Sequence, residues 1–349
     1  MVTAARAFQL SAPMVKGHLD INALVNCHFK GENTILRDHW IPQFRKAGFN
    51  FIFLAVSGDR LSHLGGSERP LHAALEITDM FLSEFEALDD PEVSLVTQRK
   101  DLDQVRARVK NEHVAFVLAL EGGRPLQSCL GHLRNFYRLG FRYIQLTHDL
   151  RNELADGRKE GRTGGGLSRF GRQVVAEANR LGMVLDLSHI SHPSFRDAIE
   201  MTQGPVMVSH ANARAVWDHP RNFDDDELRA LADKGGVIGI VYIPRFIGHH
   251  FEPIEGVMAH LNHVVSVVGI EHVGIGGLGT DARAIKMFGE ANWPYERIAQ
   301  VLAERPKDIY TETQYEKLIQ ALFNHGYSEN EIRLVLGGNF LRLLEQALR

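Results

Sequence analysis

The sequence predicts an α/β protein, a single (β/α)8 barrel, and three features support this fold class. At 349 residues the chain fits one such barrel with extra loops or a terminal helix. Short apolar runs alternate with amphipathic segments of helical period, which is typical of a parallel sheet wrapped by helices. Residues able to bind a metal stand at or just beyond the ends of several runs, and one rim of a (β/α)8 barrel carries the catalytic residues.

Eight apolar runs are the predicted strands. Segments of helical period separate most of them, so we expect helices between the strands. The runs are MVKGH (14–18), FNFIFLAV (49–56), VAFVLALE (114–121), FRYIQLTH (141–148), MVLDLSH (183–189), PVMVSH (205–210), GVIGIVYI (236–243) and HVGIGG (272–277).

The clearest predicted helix follows the fourth strand. Ser168 suits its N-cap and Gly182 its end, because a hydroxyl binds free N–H groups and glycine adopts the left-handed conformation. Apolar residues recur between them at helical spacing, namely Phe170, Val174, Val175, Ala178 and Leu181. The preceding stretch 161–166 (GRTGGG) is predicted as a mobile loop on the active rim, since it matches no phosphate-binding pattern.

The chain beyond the eighth strand is predicted to close the barrel. Residues 282–349 begin with a charged loop and continue with two helical segments, 312–324 and 328–348. We expect residues 1–349 to form one barrel domain with a C-terminal helical cap at about 312–348, and no second domain.

Composition excludes several classes of protein. Hydrophobic residues make up 44% and charged residues 23%, which argues against disorder. The net charge of −4 gives no reason to expect nucleic acid or an anionic membrane as a partner. Cys27 and Cys129 are the two cysteines and lack a paired metal-binding spacing, so neither a disulfide framework nor a cysteine zinc site is expected.

Targeting signals are not recognised in the sequence. The first 20 residues hold no apolar stretch long enough for a signal peptide, and no segment approaches the roughly 18 apolar residues of a membrane-spanning helix. We therefore expect a cytoplasmic protein without a membrane segment.

Five residues are the candidate metal ligands. His18, Asp20, Glu121, His189 and His210 each close an apolar run or follow it directly. Side chains on one face of a strand recur every second residue, so each ligand should share the barrel interior with residues two and four positions before it. These are Ala119 and Val117 for Glu121, Leu187 and Leu185 for His189, and Val208 and Val206 for His210.

Imidazole and carboxylate groups without cysteine favour a catalytic zinc site over a structural one. Glu121 lies between the HxD pair and the two later histidines, so we expect it to bridge two metals. Two metals about 3.5–4 Å apart would hold a hydroxide and activate it as a nucleophile near neutral pH. A single histidine at a strand end is more often a hydrogen-bonded rim residue, and the metal prediction depends on the five occurring together.

Eight motifs occur in order along almost the whole chain. They are GHLD, LALEGG, FYRLGFRYIQLTH, GLSRFGRQVVAEANRLGMVLDLSH, PVMVSHANARA, HPRNFDDDEL, HVGIGG and LGGNFLRLL. Together they resemble the membrane dipeptidase (renal dipeptidase) family, a branch of the metal-dependent amidohydrolase superfamily. The resemblance implies a binuclear zinc hydrolase of small dipeptides and a homodimer. Its metal positions fall on the same five residues.

The resemblance also assigns two residues that contact substrate. His148 matches the histidine near the scissile carbonyl that steadies the tetrahedral intermediate, and an imidazole there could donate to a developing oxyanion. Arg221 matches the arginine that grips the terminal carboxylate of the substrate, which a planar guanidinium can bind through two parallel hydrogen bonds.

The eighth strand departs from the family pattern. The family has GIGSDFDG there, and its first Asp is the proton shuttle, whereas this chain has HVGIGGLGTDARA and places Leu278 at that position. We expect a three-residue insertion to bring Asp281 into the role of the shuttle, since neighbouring glycines permit unusual backbone paths.

Three functions are compatible with the sequence. The first is a zinc-dependent dipeptidase acting on small dipeptides through a metal-bridging hydroxide. The second is a related amide hydrolase acting on a pathway-specific small molecule. The third is a catalytically impaired metal-binding homologue that lacks the shuttle, whose loss typically costs about 10²–10⁴ in rate.

Overall fold

Nine strands form one parallel sheet in this computed structural model, which describes residues 4–59, 69–108, 112–161, 164–248, 250–277 and 312–349. The strands are β1 (Val15–Asp20), β2 (Phe51–Ser57), β3 (Val93–Leu95), β4 (Val114–Glu121), β5 (Phe141–Gln145), β6 (Val184–Asp186), β7 (Val206–Ala211), β8 (Val237–Val241) and β9 (Val273–Gly277).

Eight of these strands lie in the order of a barrel. The order is β1-β2-β4-β5-β6-β7-β8-β9, every pairing is parallel, and β3 lies beside β4. The last strand returns to the first, because a Cβ atom on Gly17 would lie 2.9 Å from the carbonyl oxygen of Ile275. The sheet is therefore a nearly closed barrel, and the predicted (β/α)8 fold is confirmed.

Strand boundaries differ from the prediction in two ways. The three-residue β3 was not predicted, because so short a segment has no periodicity. The predicted fourth and fifth strands extended to His148 and His189, but β5 ends at Gln145 and β6 at Asp186. Both histidines therefore lie in turns beyond the strands.

Helices surround the sheet and follow most of its strands. They are α1 (Ala4–Gln9), α2 (Asn22–Phe29), α3 (Ile41–Ala47), α4 (Pro70–Glu86), α5 (Arg99–Ala107), α6 (Leu130–Arg138), α7 (Arg169–Leu181), α8 (His192–Met201), α9 (Asp225–Asp233), α10 (Pro244–Ile247), α11 (Pro253–Val268), α12 (Glu312–Asn324), α13 (Glu329–Arg333) and α14 (Asn339–Ala347). None in the described part of the chain is long and apolar enough to cross a membrane.

The helix predicted after the fourth strand is α7, with the expected caps. The Ser168 hydroxyl accepts a hydrogen bond of 2.9 Å from the N–H of Gly171, and Gly182 has a φ of 74°. Val174, Val175 and Ala178 are buried against the sheet side of the molecule.

The predicted helix 328–348 is wrong as a single element. It is divided into α13, a π-helical turn at Leu334–Gly338, and α14. A close approach explains the interruption, because a Cβ atom on Gly337 would lie 2.7 Å from the carbonyl oxygen of Pro13. The turn therefore packs directly against the backbone that leads into β1.

Helix α14 packs against the residues that fill the barrel. Phe340, Leu343 and Leu344 belong to one buried cluster with Val15 and Phe51, which stand at the starts of β1 and β2. The ring of Phe340 also lies 5.3 Å from that of Phe53. The helix thus covers the amino-terminal end of the barrel, away from the candidate ligands.

Candidate active site

The five candidate ligands meet at the carboxyl ends of the strands. Oε1 of Glu121 lies 3.7 Å from Nε2 of His18, 3.7 Å from Nε2 of His189 and 4.0 Å from Nε2 of His210. Oδ1 of Asp20 lies 3.7 Å from Nε2 of His18. One carboxylate is therefore surrounded by three imidazoles from three different strands or the turns that follow them.

The predicted alternation of side chains holds for Glu121 and is wrong for the two later histidines. Ala119 and Val117 belong to the cluster inside the barrel. The residues two and four positions before each histidine belong instead to the core between the sheet and the helices. They are Leu185 and Leu187 before His189, and Val206 and Val208 before His210. With regular alternation of side chains along β6 and β7, both histidines would point away from the barrel interior.

Local irregularities return these side chains to the site. In β7, Val208 pairs with Ile238 and Ala211 with Ile240, so the segment that holds His210 has one residue more than its partner. A similar shift lies in β1 between Lys16 and Leu19, so it includes His18 and comes just before Asp20. His189 follows β6 with a φ of 65°, the left-handed conformation that few non-glycine residues adopt.

Hydrogen bonds orient the two later imidazoles. Nδ1 of His189 lies 2.7 Å from Oδ1 of Asp149, and Nδ1 of His210 lies 2.8 Å from the Ser209 hydroxyl. Because that hydroxyl donates to Asp186, its oxygen accepts from Nδ1–H of His210. Each imidazole consequently presents the Nε2 lone pair to the site, and the two Nε2 atoms are 2.8 Å apart.

This donor set fits a divalent metal. Imidazoles held at Nδ1 by a carboxylate or a hydroxyl, with Nε2 directed toward the site, are typical of metal-ligating histidines. The pKa of His210 is far below its usual value, because burial and then the neighbouring His18 and His189 disfavour a charge. A neutral imidazole is the form that binds metal. Nδ1 of His18 is buried without a hydrogen-bond partner among the described residues.

Three groups of potential ligands occur among the described residues. They are His18 with Glu121 and His210, Glu121 with His148 and His189, and His192 with Asp224 and Glu227. Glu121 belongs to the first two groups. The third group forms ion pairs with Arg158 and Arg214, which already balance its charge.

His148 lies beside the ligands in the loop after β5. Its ring centroid is 4.0 Å from that of His189, and its backbone N–H donates a hydrogen bond of 3.0 Å to Asp59. Burial raises the pKa of Asp59 despite the hydrogen bonds it accepts. A cavity of about 200 Å³ opens next to His148 and is also lined by Asp149, Arg124 and Lys159 among others. The imidazole can therefore reach a molecule bound in the cavity.

Arg221 is a buried cation near the same ligands. Its Nη2 donates to the carbonyl oxygen of His210 at 3.4 Å, and its Nε lies 3.8 Å from Oδ1 of Asp149. Nε and Nη1 have no hydrogen-bond partner in the described part of the chain. Burial lowers its pKa to about 10, so the guanidinium stays charged at neutral pH and can receive a carboxylate.

Asp149 is a site residue that the sequence analysis missed. It contacts His189 as described, and its Oδ2 lies 3.0 Å from Nζ of Lys159. Burial alone would raise the pKa of Asp149, but His148, Arg221 and Lys159 together lower it by more. The pKa is therefore below its usual value, and the group is a carboxylate. In the sequence, Asp149 is marked as an acidic residue directly after the LTH motif that ends the fourth predicted strand.

Leu278 and Asp281 lie outside the described residues. The identity of the proton shuttle therefore stays a prediction from the sequence.

Similarity to known proteins extends over the chain. The sequence profile of the family described as membrane dipeptidase (Peptidase family M19) matches residues 2–349. Dipeptidase verJ of Clonostachys rogersoniana is 34% identical over 68% of this chain and 56% of its own length. Dipeptidase 3 of Mus musculus is 30% identical over 98% of this chain and 66% of its own length. The chain thus spans roughly half to two thirds of the length of these curated relatives.

Solved structures share the fold. The dipeptidase AC, a metallopeptidase of the same peptidase family, superposes with a TM-score of 0.80 at 24% identity, covering 97% of this chain and 99% of that one. A metallopeptidase from Rhodobacter sphaeroides liganded with a phosphinate mimic of the dipeptide L-Ala-D-Ala gives 0.79 at 24% identity, covering 96% and 99%.

Proposed function

The chain belongs to the membrane dipeptidase family, and from this membership we propose that it hydrolyses small dipeptides with two zinc ions. The observation that carries the proposal is the position of Glu121, whose Oε1 lies within 4.0 Å of three imidazole nitrogens. A carboxylate shared in this way suits a bridge between two cations.

The proposed ligands divide around Glu121. His18 and Asp20, 3.7 Å apart on β1, would hold one ion, and His189 and His210, whose Nε2 atoms are 2.8 Å apart, would hold the other. When bound, zinc supplies a water-derived nucleophile near neutral pH and polarises the scissile carbonyl.

Two further residues act on the substrate. Arg221 is a buried cation with N–H groups that lack hydrogen-bond partners among the described residues, and it binds the C-terminal carboxylate and so orients the dipeptide. His148 donates a hydrogen bond to the carbonyl oxygen of the scissile bond as negative charge develops on it. Its ring lies 4.0 Å from that of His189 between centroids, and this proximity to the proposed ligands supports the role.

Asp281 is the proposed proton shuttle to the leaving amine. Asp281→Asn should reduce turnover by about 10²–10⁴ while both zinc ions stay bound, because the residue carries protons and is not a ligand. Wild-type turnover in this variant would show that the proton takes another route, and Leu278→Asp would then test restoration of the family residue.

Metal analysis and a substrate screen test the whole proposal. Protein purified without chelator should contain close to two zinc equivalents, and the zinc-loaded protein should hydrolyse members of a dipeptide library, including ones with a C-terminal D-residue. Two bound zinc ions without any dipeptide hydrolysis would contradict the dipeptidase function and favour another amide hydrolase or a metal-binding homologue.

Domain organisation, location and assembly are also proposals. We propose one barrel domain over residues 1–349 with the C-terminal helices as its cap, a cytoplasmic location and a homodimer. Limited proteolysis, cell fractionation and light scattering test them in turn.

A further inference from the structure

Arg158 is a buried arginine that joins three loops at the carboxyl end of the barrel. It lies after β5, and its side chain is 1% exposed. A guanidinium has five N–H donors, and here all five are used. Nε donates to Pro220 O (2.6 Å), Nη1 to Ile190 O (3.1 Å) and Glu227 Oε1 (3.1 Å), and Nη2 to Asn222 O (2.7 Å) and Glu227 Oε2 (3.0 Å).

Two of these acceptors are the residues on either side of Arg221. The carbonyl groups of Pro220 and Asn222 both bind the one planar guanidinium, so the backbone is held immediately before and after Arg221. The backbone N–H of Arg158 also donates to the carbonyl oxygen of His189 at 2.6 Å. Arg158 thus connects the loop of Arg221 with the turn of His189.

Glu227 holds the guanidinium in this orientation. It accepts two parallel hydrogen bonds from Arg158 and lies 2.8 Å from Nδ1 of His192. Burial alone would raise the pKa of Glu227, but the hydrogen bond with His192 and the charge of Arg158 lower it by more, so that the pKa is about 2. Glu227 also accepts from the N–H of Asp224, which fixes the pair to the start of α9.

We propose that Arg158 is a positioning residue for Arg221 and sets the affinity for substrates with a free C-terminal carboxylate. This inference rests on the proposed function of Arg221. Among the described residues, the side chain of Arg221 makes one hydrogen bond, of 3.4 Å to the carbonyl oxygen of His210, and a looser ion pair with Asp149, so the position of its guanidinium also depends on the backbone that Arg158 holds. Misplacing a charge-assisted hydrogen bond to a carboxylate weakens binding on the order of 10–100-fold.

Arg158→Lys tests the proposal, because lysine keeps the charge beside Glu227 but offers three donors at one point instead of a fork. Arg142→Lys is the matched control. Arg142 is also buried and also donates to three carbonyl groups, but it lies near the start of β5 at the other end of the barrel.

The measurements are kcat and KM of the zinc-loaded proteins for a dipeptide and for its C-terminal amide. In Arg158→Lys, KM for the free dipeptide should rise about 10–100-fold, while kcat and the hydrolysis of the amide change by less than about threefold. Arg142→Lys should change none of them. Calorimetry with a non-hydrolysable phosphinate dipeptide should show the same loss of affinity without turnover.

Other results would overturn the inference. A similar loss in Arg142→Lys, or an equal loss for dipeptide and amide, would show a general structural role. If Arg158→Lys does not fold, the double variant Arg158→Met with Glu227→Met removes both charges together and should show the same rise in KM. Arg221→Ala separates the two proposals. If this variant shows no selective loss for the free dipeptide over its amide, the carboxylate-binding role of Arg221 is rejected. If Arg221→Ala shows the selective loss and Arg158→Lys does not, only the role of Arg158 is rejected.

Discussion

Glu121 is the residue common to both proposed metals, and its Oε1 lies 3.7 Å from an imidazole nitrogen of β1 and 4.0 Å from one of β7. Glu121→Gln removes the negative charge and one ligand atom while preserving shape. We expect the variant to retain about one zinc equivalent where the wild type retains two, because a neutral amide bridges two cations poorly. Elemental analysis after dialysis measures this, with Glu200→Gln on α8 as the control. Two equivalents in Glu121→Gln would remove it as the bridge.

Asp149 acts on the site through His189. Its carboxylate accepts from Nδ1–H of His189 and thereby raises the basicity of the Nε2 that faces the site. Asp149→Asn keeps an acceptor oxygen but removes the charge, so zinc affinity should fall about 10–100-fold. A competing chromophoric chelator measures the affinity, and the exposed Asp226→Asn is the control. Unchanged affinity would contradict this role.

At the scale of elements, the strand irregularities decide which side chains reach the site. The run PVMVSH correctly predicts β7, but nothing in its apolar pattern reveals the extra residue before Ala211, because Val, Met and Ser suit either face. The interior glycines make room for it. A Cβ atom on Gly239 of β8 would lie 2.1 Å from Ser209 O, and one on Gly276 of β9 would lie 3.0 Å from His210 Cα.

Gly239→Ala should therefore push the irregular part of β7 away from its place. We expect a loss of about 1–3 kcal/mol in the free energy of unfolding, as for overpacking in a dense core, together with weaker zinc binding. Urea denaturation and zinc titration measure the two effects. Gly204→Ala is the control, because a Cβ atom there meets nothing within 4 Å. A loss of stability with full zinc affinity would show that the glycine serves packing alone.

At the scale of the whole molecule, the sequence predicts the barrel and places the five residues at one rim, because the apolar runs show where strands end, but their alternation gives the wrong face for His189 and His210. It does not predict β3, the interruption before α14 or the contact of Asp149 with His189. These depend on contacts between distant segments, such as Gly337 against Pro13, which leave no periodicity in the chain. The roles of His148 and Arg221 came from the family resemblance, since either residue alone also suits an ordinary hydrogen bond or salt bridge.

The stability of the whole protein should depend on pH through a buried histidine that is not one of the proposed ligands. His260 of α11 is fully buried, its Nδ1 accepts from the N–H of Ala213, and its Nε2 lies 3.3 Å from the carbonyl oxygen of Ile247. Burial lowers its pKa from 6.5 to about 4. The unfolded chain therefore binds this proton more strongly than the folded one, and the contribution of His260 is complete above pH 6.5 and lost as pH falls toward 4.

Urea denaturation of the chelator-treated protein above pH 6.5 and near pH 4 measures this loss, which for His260 amounts to at most roughly 3 kcal/mol. In His260→Gln the side chain no longer titrates, so the decline in stability between the two pH values should be smaller than in the wild type. The variant will be less stable than the wild type at the higher pH. The comparison therefore uses, for each protein, the difference in the free energy of unfolding between the two pH values. Equal declines in both proteins would show that His260 does not couple folding to protons, and that the acid sensitivity comes from other groups.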